Sequence, residues 1–350
     1  MSQPFEDLPT TPTAEELVDQ AFSRAARAGR AKDGFEAQES MLQTAANVAS
    51  DNLENVVTAW PDFDDLDPFY RELADAIIAS NTTGDDAPEL GGIDAVRQHL
   101  SEIGWAGRKI EEIHSEYQSR FSSVDTETAR KLRKQAFARI ADIIEEVGDD
   151  LAAVGAARDD LRKLPDIRPD EPTIVVAGYP NVGKSSFVNT VTNASNETAS
   201  YPFTTTEIRV GHFQDGHIRY QIVDTPGLLD RPEAERNDIE EQAVSALGHA
   251  ADAVLVLVDA SETCGYQLDA QLALRDAVDD RFSVPVLTIC NKADLSTAVE
   301  ADVYASVTAD DEVAGKKSAD AGKHVESLEA VVDRVVEVIG YEPELPFEED

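Results

Sequence analysis

Basic residues are scarce, cysteines are almost absent, and no long apolar run occurs anywhere. Only two cysteines are present, Cys264 and Cys290, and neither lies in a CxxC or metal-ligand spacing, so a disulfide scaffold and a thiolate metal site are both excluded. Cys290 ends an apolar run and reads as a buried strand residue. No apolar stretch reaches the length of a bilayer span, and no basic-then-apolar leader opens the chain. A cytoplasmic protein without membrane or DNA partners is the expectation.

What is abundant is acid. Against 30 lysines and arginines stand 69 aspartates and glutamates, a formal net charge of −39. Residues 1–168 hold 18 bases and 34 acids, and residues 169–350 hold 12 and 35, so the acidity runs through the whole chain rather than forming a tail. A cation-binding or partner-binding role would concentrate that charge. Its even spread matches a protein adapted to a salt-rich cytoplasm, where a Debye length of about 3 Å near 1 M salt screens self-repulsion.

At 350 residues with 42% hydrophobic content, the chain has room for two globular domains. The first 165 residues read as helix upon helix. Thr13-Ala14-Glu15-Glu16 forms a capping-box start, and further helices are expected over 34–59, from Pro68 to about Asn81, and over 93–121. A fifth, from Glu127 to about Lys163, carries Leu132, Ala136, Ile140, Ile143, Val147, Leu151 and Val154 at helical spacing. Pro165, Pro169 and Pro172 then break the pattern. From Thr173 the period changes: short buried strands at 174–177, 253–258 and 284–289, and a hairpin turning at Asp215-Gly216. Strands alternating with helices predict an α/β fold, doubly wound and mostly parallel with one antiparallel edge strand, preceded by an all-α helical bundle. The expected division is a helical domain over 1–165, a linker over 166–172, a P-loop domain over 173–341 and an acidic tail over 342–350.

Five segments of the second half carry chemistry. Gly178, Tyr179, Pro180, Asn181, Val182, Gly183, Lys184 and Ser185 fit GxxxxGK[ST] between a strand and a helix. Backbone N–H groups and the helix N-terminus there cradle phosphate, Lys184 reaches the β/γ oxygens, Ser185 ligates magnesium, and Ser186 meets the α-phosphate. Asn291, Lys292 and Asp294 end a later strand. An Asp294 carboxylate can accept from the N1–H and exocyclic amine of guanine, a donor pair adenine lacks. Asn291 either holds the base from its other edge or ties this loop to the P-loop, and the Lys292 stem covers the ring. Asp224, Thr225, Pro226 and Gly227 close a hairpin strand: Asp224 is suited to hold magnesium through water, and the Gly227 N–H to meet the γ-phosphate. Within Tyr201–Thr206, Thr205 is the favoured last magnesium ligand, with Thr204 as the alternative. The final guanine contact is placed at Ser306, Val307 and Thr308, with Ser318-Ala319 as competitor.

Together these motifs predict a magnesium-dependent switch that binds GTP and GDP and hydrolyses GTP, with Lys184, Thr205 and Gly227 acting on the reacting phosphate. The stretches 178–186, 201–205 and 224–232 resemble the Obg group of GTPases, specifically the archaeal form of the Nog1 family, and LLDRPEAERN over 228–237 is the most family-specific piece. The helical first half matches that family's layout, so the resemblance covers nearly the whole chain. It implies a role in large ribosomal subunit assembly, with rRNA or a precursor particle as partner. A translation-linked or stress-signalling GTPase, and a binding module with negligible turnover, are the other readings.

Two residues qualify the chemistry. Leu228 stands where Ras-type switches place a water-orienting glutamine, so hydrolysis is expected to be slow without help. Asn181, in a PNxGKS loop, either shapes that loop or binds potassium beside the phosphates. The run Arg130-Lys131-Leu132-Arg133-Lys134 with Arg139 is either an RNA contact or, as slightly favoured, a solvated helix face. Trp60 and Trp105 read as core.

Overall fold

A computed structural model of the chain describes residues 3–81, 91–122, 124–192, 196–200, 207–231, 233, 236, 238–306 and 325–341. The chain divides into two compact units. One comprises Phe5–Leu66 and Ile78–Arg162; the other comprises Met1–Pro4, Asp67–Ile77 and Lys163–Asp350.

The first unit is helical. α1 (Ala14–Arg30) starts at the expected capping box: Glu16 N donates to Thr13 Oγ1 at 3.2 Å, and Thr13 N donates to Glu16 Oε2 at 2.9 Å. α2 (Gly34–Thr58) packs against α1, α4 (Gly92–Phe121) and α5 (Thr126–Glu146), and α4 packs against α5 and α6 (Gly148–Leu161). The single long helix expected over 127–163 is two. Val147 leaves helical geometry at φ −98° and ψ 17°, and Gly148, a weak helix former, follows it. The apolar stripe shifts at the break, so that Ile144 is fully buried and Ile143 only half-buried. Trp60 is buried against Phe63 and Trp105 is half-buried.

The second unit is built on a seven-stranded sheet ordered β2-β3-β4-β1-β5-β6-β7. Its strands are β1 (Thr173–Ala177), β2 (Asn196–Ser200), β3 (Glu207–Asp215), β4 (Ile218–Asp224), β5 (Ala253–Asp259), β6 (Val286–Asn291) and β7 (Val303–Tyr304). β1, β4, β5, β6 and β7 pair parallel; β3 runs against both its neighbours. The antiparallel strand thus lies one in from the edge, because β2, not anticipated from its polar sequence NETAS, pairs outside it. Every residue of β1 and β5 is buried, as in a parallel sheet covered on both faces. β6 begins only after Pro285, whose ring leaves no N–H for the ladder. The helices are α7 (Lys184–Val191), α8 (Asp238–Ala250), α9 (Leu268–Arg281) and α10 (Leu328–Ile339); α10 starts three residues later than Val325 because Ser327 caps it, accepting from Ala330 N at 3.3 Å. Among the described residues no helix is long and apolar enough to cross a membrane.

The proline-rich stretch before β1 is held in place. Gln221, wholly buried on β4, accepts from Arg168 N at 2.8 Å and donates to Arg168 O at 2.7 Å. From α3 (Pro68–Asn81), Tyr70 lies within the same unit: its hydroxyl is 2.8 Å from Ile167 O and accepts from Ile167 N at 3.1 Å. Burial, with Asp166 and Asp67 nearby, pushes the Tyr70 phenol well above its ordinary value, so it stays a protonated donor at any physiological pH. Tyr70→Phe should cost about 1–2 kcal/mol. Calorimetry should show the transition of the sheet-containing unit falling by a few degrees, with that of the helical unit unmoved.

Candidate nucleotide site

The site lies where β1, β4, β5 and β6 end, the edge at which open α/β sheets bind ligands. Gly178 and Gly183 bound the loop between β1 and α7 with φ of 131° and 108°. A Cβ on Gly178 would collide with Leu257 O of β5, and one on Gly183 with the Asn291 amide, so glycine is required at both. Asn181 is exposed and left-handed at φ 64°, a conformation asparagine tolerates better than most residues. Val182 is buried, Pro180 half-buried and Ser186 exposed; Tyr179 is buried with its ring 4.4 Å from that of Tyr266.

Lys184 opens α7 with 6% exposure, and its ammonium donates to Gly178 O at 2.6 Å and Tyr179 O at 3.1 Å. Burial lowers its pKa, while Asp230 and then Asp224 act the other way. Ser185 Oγ donates to Asp224 Oδ2 at 2.7 Å. Asp224 is wholly buried, and burial raises its pKa, with Ser185 and Lys184 opposing. Its second oxygen, Oδ1, is buried without a hydrogen-bond partner among the described residues. A serine hydroxyl beside a buried carboxylate with one oxygen uncommitted is a hard-oxygen donor set, and it fits magnesium.

The turn after β4 serves both structure and site. Thr225 spends its hydroxyl on Val176 O at 2.9 Å, Pro226 is half-buried, and Gly227, at φ 80°, donates its N–H to Asp230 Oδ2 at 2.8 Å. Leu228 is wholly buried. Leu229 O accepts from Gly178 N at 2.9 Å, linking this turn to the phosphate loop.

Of the two roles open to Asn291, the structure displays the tie: its amide donates to Val182 O at 2.8 Å. Lys292, at φ 52°, has its ammonium 2.8 Å from Asp259 Oδ2 and 3.0 Å from Thr263 Oγ1. Ser306 donates to Asp294 Oδ1 at 2.5 Å, so the end of β7 and the Asp294 loop are brought together. Val307, Thr308, Ser318, Ala319, Thr204 and Thr205 lie outside the described residues.

Sequence reasoning missed two acids. Asp259, the last residue of β5, is fully buried and accepts from Ser261, Thr263, Cys264 N and Lys292, a set that holds its pKa below the usual range despite burial. Asp259 directly follows the apolar run 253–258, and the signal for it was the Ser261-x-Thr263 that comes next. Asp230 looked like part of a family signature and nothing more. The basic run on α5 is partly committed: Arg133 donates to Gln38 at 2.9 Å and Arg139 to Glu116 at 2.7 Å, while Lys131 and Lys134 are exposed.

Comparison with known proteins agrees with this geometry. Residues 5–168 match the family profile described as the NOG1 N-terminal helical domain, and residues 173–292 match one described as a 50S ribosome-binding GTPase. An uncharacterized protein of Methanocaldococcus jannaschii is 36% identical over 304 residues, 84% of this chain and 82% of that one. Nucleolar GTP-binding protein 1 of Saccharomyces cerevisiae is 30% identical over 84% of this chain, which spans 45% of the yeast protein's length. A crystal structure of nucleolar GTP-binding protein 1 from Plasmodium falciparum is 29% identical over 51% of this chain and 90% of that one, with a TM-score of 0.38.

Asp224 yields a signed prediction. A carboxylate whose folded pKa is raised favours the fold below its ordinary pKa and loses that contribution as pH rises through the raised value. Above its ordinary pKa the nucleotide-free protein therefore holds this carboxyl in the core at a cost. Asp224→Asn should raise its melting temperature at pH 7 by roughly 3 °C, about 1 kcal/mol, and by less near pH 4. The same variant should lose magnesium-dependent tightening of nucleotide binding, read by titration with and without chelator.

Proposed function

Because the chain belongs to the Nog1 family, with a GTP-binding GTPase domain as its second half, we propose that it is a magnesium-dependent switch acting in large ribosomal subunit assembly in the cytoplasm. The observation that carries the switch reading is the 2.7 Å contact between Ser185 and the buried Asp224, which joins the phosphate loop to the turn bearing Gly227. In this reading the N–H groups of 178–186 bind the phosphates, Lys184 exchanges its two carbonyl partners for β/γ oxygens, and Asp294 selects guanine while Asp259 steadies the Lys292 stem over the ring. Ser185, Asp224 and Thr205 are the residues that would hold magnesium, whose charge offsets that of the phosphates. Gly227 senses the γ-phosphate, and Ser306 with Val307 and Thr308 completes the base pocket.

Leu228 has no polar atom with which to orient an attacking water, so intrinsic hydrolysis is slow. Potassium at Asn181 is the proposed helper: the residue is exposed within the phosphate loop, and the acidic composition suits a potassium-rich cytoplasm. Single-turnover hydrolysis should run at least several-fold faster in KCl than in NaCl at matched ionic strength. Equal rates would remove potassium from the mechanism.

Supporting the assembly role are the ribosome-binding description of the matched GTPase family and the nucleolar name of the yeast relative. With Arg133 and Arg139 already paired, RNA contact rests on hydrogen bonding and shape more than on charge. Sedimentation with ribosomal particles in high KCl is the test. The protein loaded with a non-hydrolysable GTP analogue should travel with large-subunit precursors and leave them in GDP. Association with mature ribosomes alone would refute the assembly role and favour a translation-linked one.

A further inference from the structure

Asp230 lies in no phosphate-binding motif, yet it occupies the donor that those motifs reserve for phosphate. Its Oδ2 accepts from Gly227 N at 2.8 Å. The turn that carries it is fixed at both ends: Leu228 N and Leu229 N are directed at Thr225 O at 3.3 and 3.4 Å, and Leu229 O accepts from Gly178 N. Leu228 and Leu229 are both buried, which steadies the turn while Asp230 occupies Gly227 N. The neighbouring cation does not neutralise the aspartate, since Arg231 pairs with Glu240 at 2.6 Å. Instead the Asp230 charge acts on Lys184, the buried ammonium of the phosphate loop. One carboxylate thus engages the N–H and lies within the field of the cation that together would receive the outermost phosphate.

We propose that Asp230 is a specificity-determining residue that stands in for the γ-phosphate and biases the protein toward GDP, so that GTP binds only by evicting it. The proposal rests on the reading of Gly227 as the γ-phosphate sensor. Two anions cannot share one N–H, and a triphosphate arriving beside a fixed carboxylate meets like charge. A diphosphate leaves the Gly227–Asp230 bond intact. The apparent GTP affinity is then the intrinsic affinity reduced by the fraction of molecules with Asp230 displaced, while GDP affinity escapes that reduction. The turn is also the element a switch must move, so the exchange of carboxylate for phosphate couples γ-phosphate occupancy to the position of residues 227–231.

The test is equilibrium titration of the full chain in magnesium with GDP and with a non-hydrolysable GTP analogue, comparing wild type, Asp230→Ala and Asp230→Asn. A hydrogen bond to a charged group at a half-buried position corresponds to roughly tenfold in affinity. Asp230→Ala should therefore bind the GTP analogue about tenfold more tightly relative to GDP, with GDP affinity changed less than about twofold. Asp230→Asn keeps an acceptor for Gly227 but loses the charge, and should move the ratio in the same direction by a smaller factor. A merely structural role for the turn would change both nucleotides together, and that result, an unmoved ratio, or a shift toward GDP would each overturn the proposal. If wild type binds neither nucleotide, the reading of the site itself fails, an outcome distinct from an unmoved ratio.

Discussion

The Asn291 amide occupies the space that a Cβ on Gly183 would need, and it reaches past the glycine to Val182 O at 2.8 Å. That contact joins the loop after β1 to the loop after β6, two strands apart in the sheet. Any side chain at Gly183 would prise the loops apart. The register of three parallel strands decides whether the contact forms: Val176 pairs with Leu255, and Leu255 with Leu287, which brings the strand ends level. The phosphate half and the base half of the site are therefore one rigid object, and their separation is set by the spacing of strands rather than by flexible side chains.

Around this junction the protein buries charge. Lys184, Asp224 and Asp259 are all within the core of a chain whose surface is overwhelmingly acidic. They are not equivalent. Asp259 is fully partnered, and its pKa falls accordingly; Lys184 is given two backbone carbonyls; Asp224 keeps one oxygen without a partner among the described residues. A buried polar atom left unsatisfied is costly, and such atoms gather where a ligand is meant to complete them. The pattern separates what the fold needs for itself, the Asp259 knot, from what it holds in readiness, the Ser185–Asp224 pair.

The same distinction bears on the net charge of −39. In concentrated salt, exposed ion pairs such as Arg97–Asp94 or Arg334–Glu337 contribute little. The interactions that shape the site are buried or are backbone hydrogen bonds, which salt screens far less. Acidity of the surface and precision of the site are thus independent, and a composition that would weaken electrostatic recognition elsewhere leaves the nucleotide pocket untouched.

Much of this was legible in the sequence. The capping box at Thr13, the strands at 174–177 and 253–258, the hairpin at Asp215-Gly216 and the phosphate loop each depend on neighbours within a few residues, and local chemistry suffices to find them. Spacing also named Lys184, Ser185, Asp224, Asn291 and Asp294, because each belongs to a motif that begins at a strand end. Tertiary structure decided the rest. Only the fold could assign Asn291 to Val182, 109 positions away, and leave Tyr70 beside Ile167 in the sheet-containing unit. Gly227 and Asp230 are only three residues apart, but the burial of Leu228 and Leu229 and the bond from Gly178 N to Leu229 O are what hold their turn against the phosphate loop. Helix and strand signals are written at separations of two to four residues, whereas a partner for a buried polar atom is settled by which chain segments the sheet brings level.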